Sequence, residues 1–398
     1  MVVAASAPIA VRSAAPRLQT RIISNYPEFL ALENVWHELV QRSSVAHPFL
    51  EHAWLRTWWE CFGNKSRLHV VVVMEAESPI ALAPLLVTRV RMFGVNVRQL
   101  GFFYNSHVPR ADFIVTDRAD EAYEAIWHAI KTSKEWDVLQ LCQLTEDTET
   151  LTRMQQLAGT DGFSTGLWKS GASPRVPLET GWDAYHQSLA AKHRSNLRNR
   201  FKRLDQLGPV ELDTVTGGPK RAESLDYGLR LEAAAWKGAN GTAIFNDPDI
   251  TRFYQLFSER AADRGWLRLN FLRAGDKAVA FDYSLEYANR IFLLKLGYDP
   301  EFSPYSPSNL LLATALKNSF ELGLEEYDFL GEEAEWKRCW TTNTRSNFWL
   351  YIFRPSLKGF LLHFLKFRLN PWLKTNTSFQ RLWAILSRAE NKHGNSDS

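Results

Sequence analysis

The run from Ala278 to Leu330 is the part of this chain that most restricts its fold. Ala278 to Tyr287 is rich in apolar and aromatic residues and predicts a strand. Arg290 to Tyr298 predicts another, and Ala288-Asn289 between them suits a hairpin turn. A loop rich in proline and serine follows, from Asp299 to Ser308. Asn309 to Leu322 carries apolar residues at helical spacing, with Gly323 as a stop. Tyr327 to Leu330 predicts a third strand. The order is strand, hairpin, strand, polar loop, helix, strand, which belongs to a mixed α/β architecture. A helix that begins just after such a loop offers unsatisfied backbone N–H groups and the positive end of a dipole, the makings of an anion site.

The third strand stops at Gly331, where glycine lets the chain leave a sheet without steric cost. An acidic turn follows, then Trp336-Lys337 and Trp340. An aromatic here can wall a pocket while the adjacent lysine supplies a point charge for a phosphate or a developing oxyanion. The same fragment also fits a packed strand end with a solvated lysine.

Five fragments occur in a fixed order: Ala191 to Arg200 (Ala-Lys-His-Arg-Ser-Asn-Leu-Arg-Asn-Arg), Leu231 to Gly238 (Leu-Glu-Ala-Ala-Ala-Trp-Lys-Gly), Gly297-Tyr298-Asp299-Pro300, Tyr305-Ser306-Pro307 leading into Leu310-Leu311, and Gly331 with Trp336-Lys337 and Trp340. On these fragments the region 180–350 resembles the GNAT acyltransferase fold, in the branch that groups CelD-like acetyltransferases of cellulose biosynthesis with Fem peptidyltransferases. Region 20–170 is more weakly similar, through Pro48-Phe49, Trp54, Trp58-Trp59, Pro84-Leu85 and the Asn105 to Asp112 loop. The sequence departs from the family at Ser308, where glycine is usual, and lacks the standard glycine-rich basic pyrophosphate loop.

The resemblance implies an acyl-CoA co-substrate, acetyl-CoA foremost, held at the helix start by Tyr305, Ser306, Ser308, Asn309 and Leu310. Lys337 is expected to stabilise an oxyanion or the donor phosphate. Trp236 and Trp336 are expected to wall the pocket, with Lys237 beside them. Arg194, Arg198 and Lys202 recur four apart on one helix face, and an anion would relieve their mutual repulsion; a solvated basic face is the other reading. Leu197, Phe201 and Leu204 should face a core. Alternation puts Asp282, Ser284 and Glu286 on one face of their strand. Asp282, Glu286 and Asp299 are candidate general bases, unless that face simply meets water. Tyr298 or Tyr305 is the candidate acid.

Composition agrees with an enzyme of two or three domains: 398 residues, 45% hydrophobic, and 47 Lys+Arg against 44 Asp+Glu, a balance that implies no general nucleic-acid affinity. The three cysteines, Cys61, Cys142 and Cys339, have no metal-ligand spacing and fit a reducing cytoplasm. No segment has the roughly 18 apolar residues of a spanning helix. There is no Gly-x-Ser-x-Gly elbow, Walker loop or His-Glu-x-x-His helix, and no metal is expected.

Residues 1–20 read as a disordered tail without the pattern of a secretory signal. The first half predicts helices at 27–43 and 50–62, strands at 67–75, 79–89 and 96–103, a helix at 119–133 and a strand at 136–142. Lys169 to Pro177 reads as a linker, and Trp182 to Leu207 as a basic helix. Two tandem GNAT-like domains, 21–172 and 178–354, are expected, with a cleft between them and a basic helical extension over 355–398. That extension is amphipathic; Pro371 should break it, and Ser378 to Glu390 predicts a further helix. Packing onto the domains is favoured over lying on an anionic membrane surface, and the pattern fits both. The expected function is a cytoplasmic acyltransferase acting on an amine or hydroxyl of a saccharide or polysaccharide precursor. The alternatives are a Fem-like transferase using aminoacyl-tRNA, the only case that brings in nucleic acid, and a non-catalytic module of envelope polysaccharide synthesis.

Overall fold

The computed structural model describes residues 17–234 and 244–375. The first half runs β1 (Gln19–Ile23), α1 (Tyr26–Ala31), α2 (Glu33–Arg42), α3 (His52–Phe62), β2 (Ser66–Leu68), β3 (Val70–Glu75), β4 (Ser78–Ala83), β5 (Leu85–Met92), β6 (Val95–Phe102), β7 (Ile114–Val115), α4 (Ala119–Thr132), β8 (Val138–Thr145), α5 (Glu149–Thr160) and β9 (Ser164–Pro177). The second runs α6 (Trp182–Ser188), α7 (Ala191–Asp205), β10 (Val210–Val215), α8 (Arg221–Ala234), α9 (Pro248–Asp263), β11 (Leu267–Ala274), β12 (Lys277–Tyr287), β13 (Arg290–Tyr298), α10 (Pro307–Glu321), β14 (Glu326–Asp328), α11 (Glu335–Arg338) and β15 (Thr344–Phe353). After it come α12 (Leu357–Phe364), a π-helical turn at Leu365–Leu369, and α13 (Asn370–Thr375).

Both halves repeat one unit. The hairpin β5–β6 is followed by α4 and by β8, which pairs with β6 in parallel. The hairpin β12–β13 is followed by α10 and by β14, which pairs with β13 in parallel. The last strands of the halves are exchanged. β9 lies antiparallel to both β14 and β15, and β15 also pairs with β8. One sheet of 11 strands results, in the order β10-β11-β12-β13-β14-β9-β15-β8-β6-β5-β2, beside a 4-stranded sheet β1-β3-β4-β7.

The expected hairpin is present. Ala288 and Asn289 both have positive φ, 47° and 58°, as a two-residue type I′ turn requires. The expected linker is not a linker: Lys169 to Pro177 belongs to β9, at the centre of the large sheet, so the expected division between 172 and 178 falls inside a strand. Its small and polar residues look loop-like because a strand held on both sides by ladders needs little side-chain help. The expected strands 67–75 and 79–89 are each cut in two, at His69 and Pro84, where the chain passes between sheets. Proline lacks the N–H that a continuous ladder would use. β1 begins within the expected tail, and α5 has no counterpart among the expected elements. The basic helix is two helices, parted where Leu189 turns extended (ψ 154°). Leu197 and Leu204 are buried, but Phe201 is 40% exposed. Pro371 does not break the terminal segment; the wider π turn before it accommodates the ring and α13 continues. Ser378 to Glu390 lies outside the described residues.

The largest apolar cluster belongs to both halves. Trp54 of α3 is fully buried and meets Phe253 and Phe257 of α9 edge-on, at 4.9 and 4.7 Å, while Phe49 meets Phe292 of β13 at 5.6 Å. Edge-to-face contacts of this kind add to the gain from burial. A shared core and a shared sheet fix how the two halves face each other, and hence the shape of the space between them.

Candidate functional site

β13 and β14 pair only over Arg290–Phe292 and Glu326–Asp328; β6 and β8 pair only over Gln99–Gly101 and Val138–Gln140. Beyond these short ladders each pair of strands parts. A cavity of about 390 Å³ lies there, lined by Leu294 and Lys295 of β13, by Leu330, Gly331 and Glu332 after β14, by Tyr104 and His107 after β6, and by Gln143 of β8 and Tyr254 of α9. The first half therefore supplies part of the wall.

Three polar groups converge in it. Lys295 Nζ is 3.1 Å from His107 Nδ1, and His107 Nδ1 is 3.3 Å from the Tyr254 hydroxyl. Lys295 Nζ also lies 5.3 Å above the Tyr254 ring, a cation–π distance. His107 is presented by a tight turn, in which its own amide and the Val108 amide donate to the side chain and backbone of Asn105. Burial pushes the Tyr254 hydroxyl well above its ordinary value, so it stays protonated. β13 is bulged here: Tyr283 opposes Lys295 and Ser284 opposes Leu293, which leaves Leu294 no partner in the register with β12, and β14 has already ended. A bulge at a cavity wall re-aims backbone groups towards whatever fills it.

Behind the cavity the chain turns sharply. β14 ends at Asp328, short of the expected Leu330, and the turn that follows has positive φ at both Leu330 and Gly331, 49° and 57°, which glycine adopts freely. Lys337 Nζ donates to the carbonyls of Leu330 (2.6 Å) and Glu332 (2.8 Å) and pins this turn. Asp328 accepts from the Leu330 amide at 2.8 Å and is ion-paired with Arg110 of the first half and, at 3.4 Å, with Arg345. Glu326 pairs with Arg175 at 2.6 Å and Arg345 at 3.2 Å. Burial pushes Glu326 up, but the two guanidinium groups outweigh it and hold its carboxyl below the usual range. These ion pairs lock the turn to both halves.

The expected site residues do not assemble here. Lys337 is buried and directed at carbonyls. Trp336 is 37% exposed and packs edge-on to Phe329. Asp282 is fully buried inside the second half, accepting from Asn270 (3.0 Å) and Ser284 (2.6 Å), so that strand face does not open to the cavity. Glu286 is ion-paired with Arg268 at 2.9 Å. Asp299 caps the turn after it through the Glu301 amide and pairs with Lys277 at 3.0 Å. Tyr298 is half-buried beside the α10 core, and Tyr305 lies under Arg203 at 5.1 Å. Ser306 begins α10 with φ 48° and caps it by its carbonyl, which accepts from the Asn309 and Leu310 amides; Ser308 follows on the first turn and Leu310 is buried in the core. None of these residues lines the cavity. Arg194 clasps the end of α6 through the carbonyls of Gln187 and Leu189, both 2.5 Å away, while Arg198 is exposed. Trp236 and Lys237 lie outside the described residues.

Lys295 left a trace in the sequence, as a lysine inside an otherwise apolar strand. His107 sits in the loop already noted for its resemblance. Tyr254, one aromatic among many on α9, left none. Among the described residues no group of three or more His, Cys, Asp or Glu could hold a metal, and no helix is long and apolar enough to cross a membrane.

Residues 191–338 match the acetyltransferase (GNAT) domain family. No curated protein sequence matches significantly. Among solved structures the chain is similar to FemX, with a TM-score of 0.60 and 13% identity over 80% of this chain and 95% of that one. It also aligns with the C-terminal domain of a lysylphosphatidylglycerol synthetase described as putative, from Agrobacterium fabrum, at a TM-score of 0.49 and 13% identity over 84% of this chain and 95% of that one. The fold is a mixed α/β fold of the GNAT type, carried in two tandem halves.

Proposed function

We propose that this protein is an acyltransferase that moves an acyl group, acetyl foremost, from an acyl-CoA thioester to an amine or hydroxyl of a saccharide or polysaccharide precursor. The observation that carries the reading is that the matched acetyltransferase domain contains the parted strands β13 and β14, whose wedge opens on the Lys295–His107 cavity. The acceptor nitrogen or oxygen attacks the thioester carbonyl carbon; the carbon–sulfur bond breaks, and CoA leaves as the thiolate, which receives the acceptor's proton by way of His107. His107 takes the acceptor's proton. Lys295, with the backbone at Leu294, stabilises the developing oxyanion. A covalent cysteine intermediate has no support: Cys61 and Cys142 are buried with thiols pushed up by burial to about 11 and about 12, and Cys339 does not line the cavity. The saccharide acceptor rests on the CelD-like resemblance of the sequence fragments.

A second reading, an aminoacyl-tRNA donor, is favoured by one observation. α7 has Lys192, Arg198, Lys202 and Arg203 on its exposed surface and no acidic residue before Asp205. Calorimetry with acetyl-CoA, longer acyl-CoAs and free CoA separates the two. Binding of a CoA species that weakens in Lys295→Met and His107→Gln is the expected result. No binding of any CoA species overturns the CoA donor. Binding of aminoacyl-tRNA instead, lost when the α7 cations are neutralised, establishes the second reading; binding of neither leaves a non-catalytic module.

A further inference from the structure

α12 is built the wrong way round for a helix that ends in water. Its buried residues are Gly359 and Leu362, seated against β9 and β15. Gly359 is required there, because a Cβ would lie 2.1 Å from the Arg354 carbonyl oxygen. The opposite face, at i, i+3, i+4 and i+7 spacing, is apolar and open: Leu357 is 92% exposed, Phe360 66%, Leu361 49% and Phe364 44%. Trp372 on α13 is 51% exposed. Large apolar side chains at this density on one exposed face mark an interaction surface.

The charge pattern says what kind of surface it meets. From Pro355 to Ala389 the sequence has no aspartate or glutamate and six Lys or Arg. Three of these flank the exposed face. Lys358 is held back by Asp137 at 2.8 Å, Lys366 lies over the Tyr351 ring at 4.3 Å, and Arg368 is exposed. Apolar residues pointing outward on a segment with no acidic residue of its own, bordered by cations of which Lys358 is already paired with Asp137, complement a bilayer whose headgroups are anionic. A helix of this length and charge lies in the interface rather than crossing it.

We propose that α12 and α13 dock this protein onto an anionic lipid bilayer, with Leu357, Phe360, Leu361 and Phe364 inserted at the acyl boundary. The proposal is independent of the acyl-transfer reading. It is tested by co-sedimentation of the full chain with phosphatidylcholine vesicles and with mixed phosphatidylcholine–phosphatidylglycerol vesicles, alongside Phe360→Asp/Leu361→Asp. Both positions are exposed, and an unchanged urea midpoint verifies that the variant folds. Binding to the mixed vesicles, weaker to phosphatidylcholine alone and reduced roughly tenfold or more in the variant, is the expected result. Equal binding by the variant, or no binding to the mixed vesicles, overturns the proposal. So does a concentration-dependent dimer in light scattering that the variant abolishes without any vesicle binding, since a second copy then covers the face.

Discussion

Single side chains show where chemistry and structure compete. Asp282 is fully buried, and burial raises its carboxyl to about 7 while Ser284 and Asn270 pull it down. In the unfolded chain the same group titrates near ~3.9. A carboxyl that holds its proton more tightly in the fold contributes stability that is complete below about pH 4 and is lost as the pH rises towards 7. Asp282→Asn should therefore gain on the parent protein between pH 4 and 8, by up to about 3–4 kcal/mol across the window. Urea midpoints at the two pH values check this; a difference that does not change with pH would mean the carboxylate is already ionised in the fold. Asp112, buried and raised to about 6, acts in the same direction with a smaller share. Lys337 and Lys295 give a contrasting pair. Lys337→Met removes two hydrogen bonds inside a buried turn and should cost about 1–3 kcal/mol. Lys295→Met should lower turnover roughly 100-fold or more with a smaller change in the urea midpoint. The reverse pattern would return the catalytic role to Lys337.

At the scale of elements, close approach matters more than propensity. α8 crosses β13 at Gly297, where a Cβ would lie 2.4 Å from Glu232 Cα and 2.6 Å from Glu232 N. Both neighbours are backbone and cannot swing aside. Gly297→Ala should cost about 1–3 kcal/mol or more. Gly159→Ala, a helical position with nothing within 4 Å, should be neutral or stabilising by about 0.5–1 kcal/mol and serves as the control. Thermal melts of the two variants separate a packing requirement from a general glycine effect. Gly297 also opens one of the fragments that carried the resemblance, so the motif records the contact between this helix and this strand.

For the whole molecule, the sheet and the core join the halves into one unit. Trp54→Ala, at the meeting of α3 and α9, should cost about 3–5 kcal/mol. Asp328→Ala strands Arg110 without its partner in a buried site and should cost about 3–5 kcal/mol as well. Since both sites bridge the halves, each variant should still unfold in a single transition, followed by fluorescence and circular dichroism together. Two separated transitions would mean that the halves fold independently despite the exchanged strands.

The amino-acid order by itself determined the β12–β13 hairpin, the helix and strand that follow it, and the turn at Gly331, because turn chemistry, helical periodicity and glycine's freedom are local properties. It also carried the resemblance on which the fold expectation stood. Only the tertiary structure decided that Lys169 to Pro177 is the central strand β9, since its stability comes from ladders to β14 and β15 that lie far away in the chain. Tertiary structure likewise turned Lys337 inward onto two carbonyls, closed the Asp282 face from the cavity, and brought His107, Tyr254 and Lys295 together. Those three come from a loop, a helix and a strand, and they meet because the parallel strands of each half part where the halves face one another. Periodicity and spacing report neighbours along one element; convergence of His107 and Lys295, 188 residues apart in sequence, is set by packing.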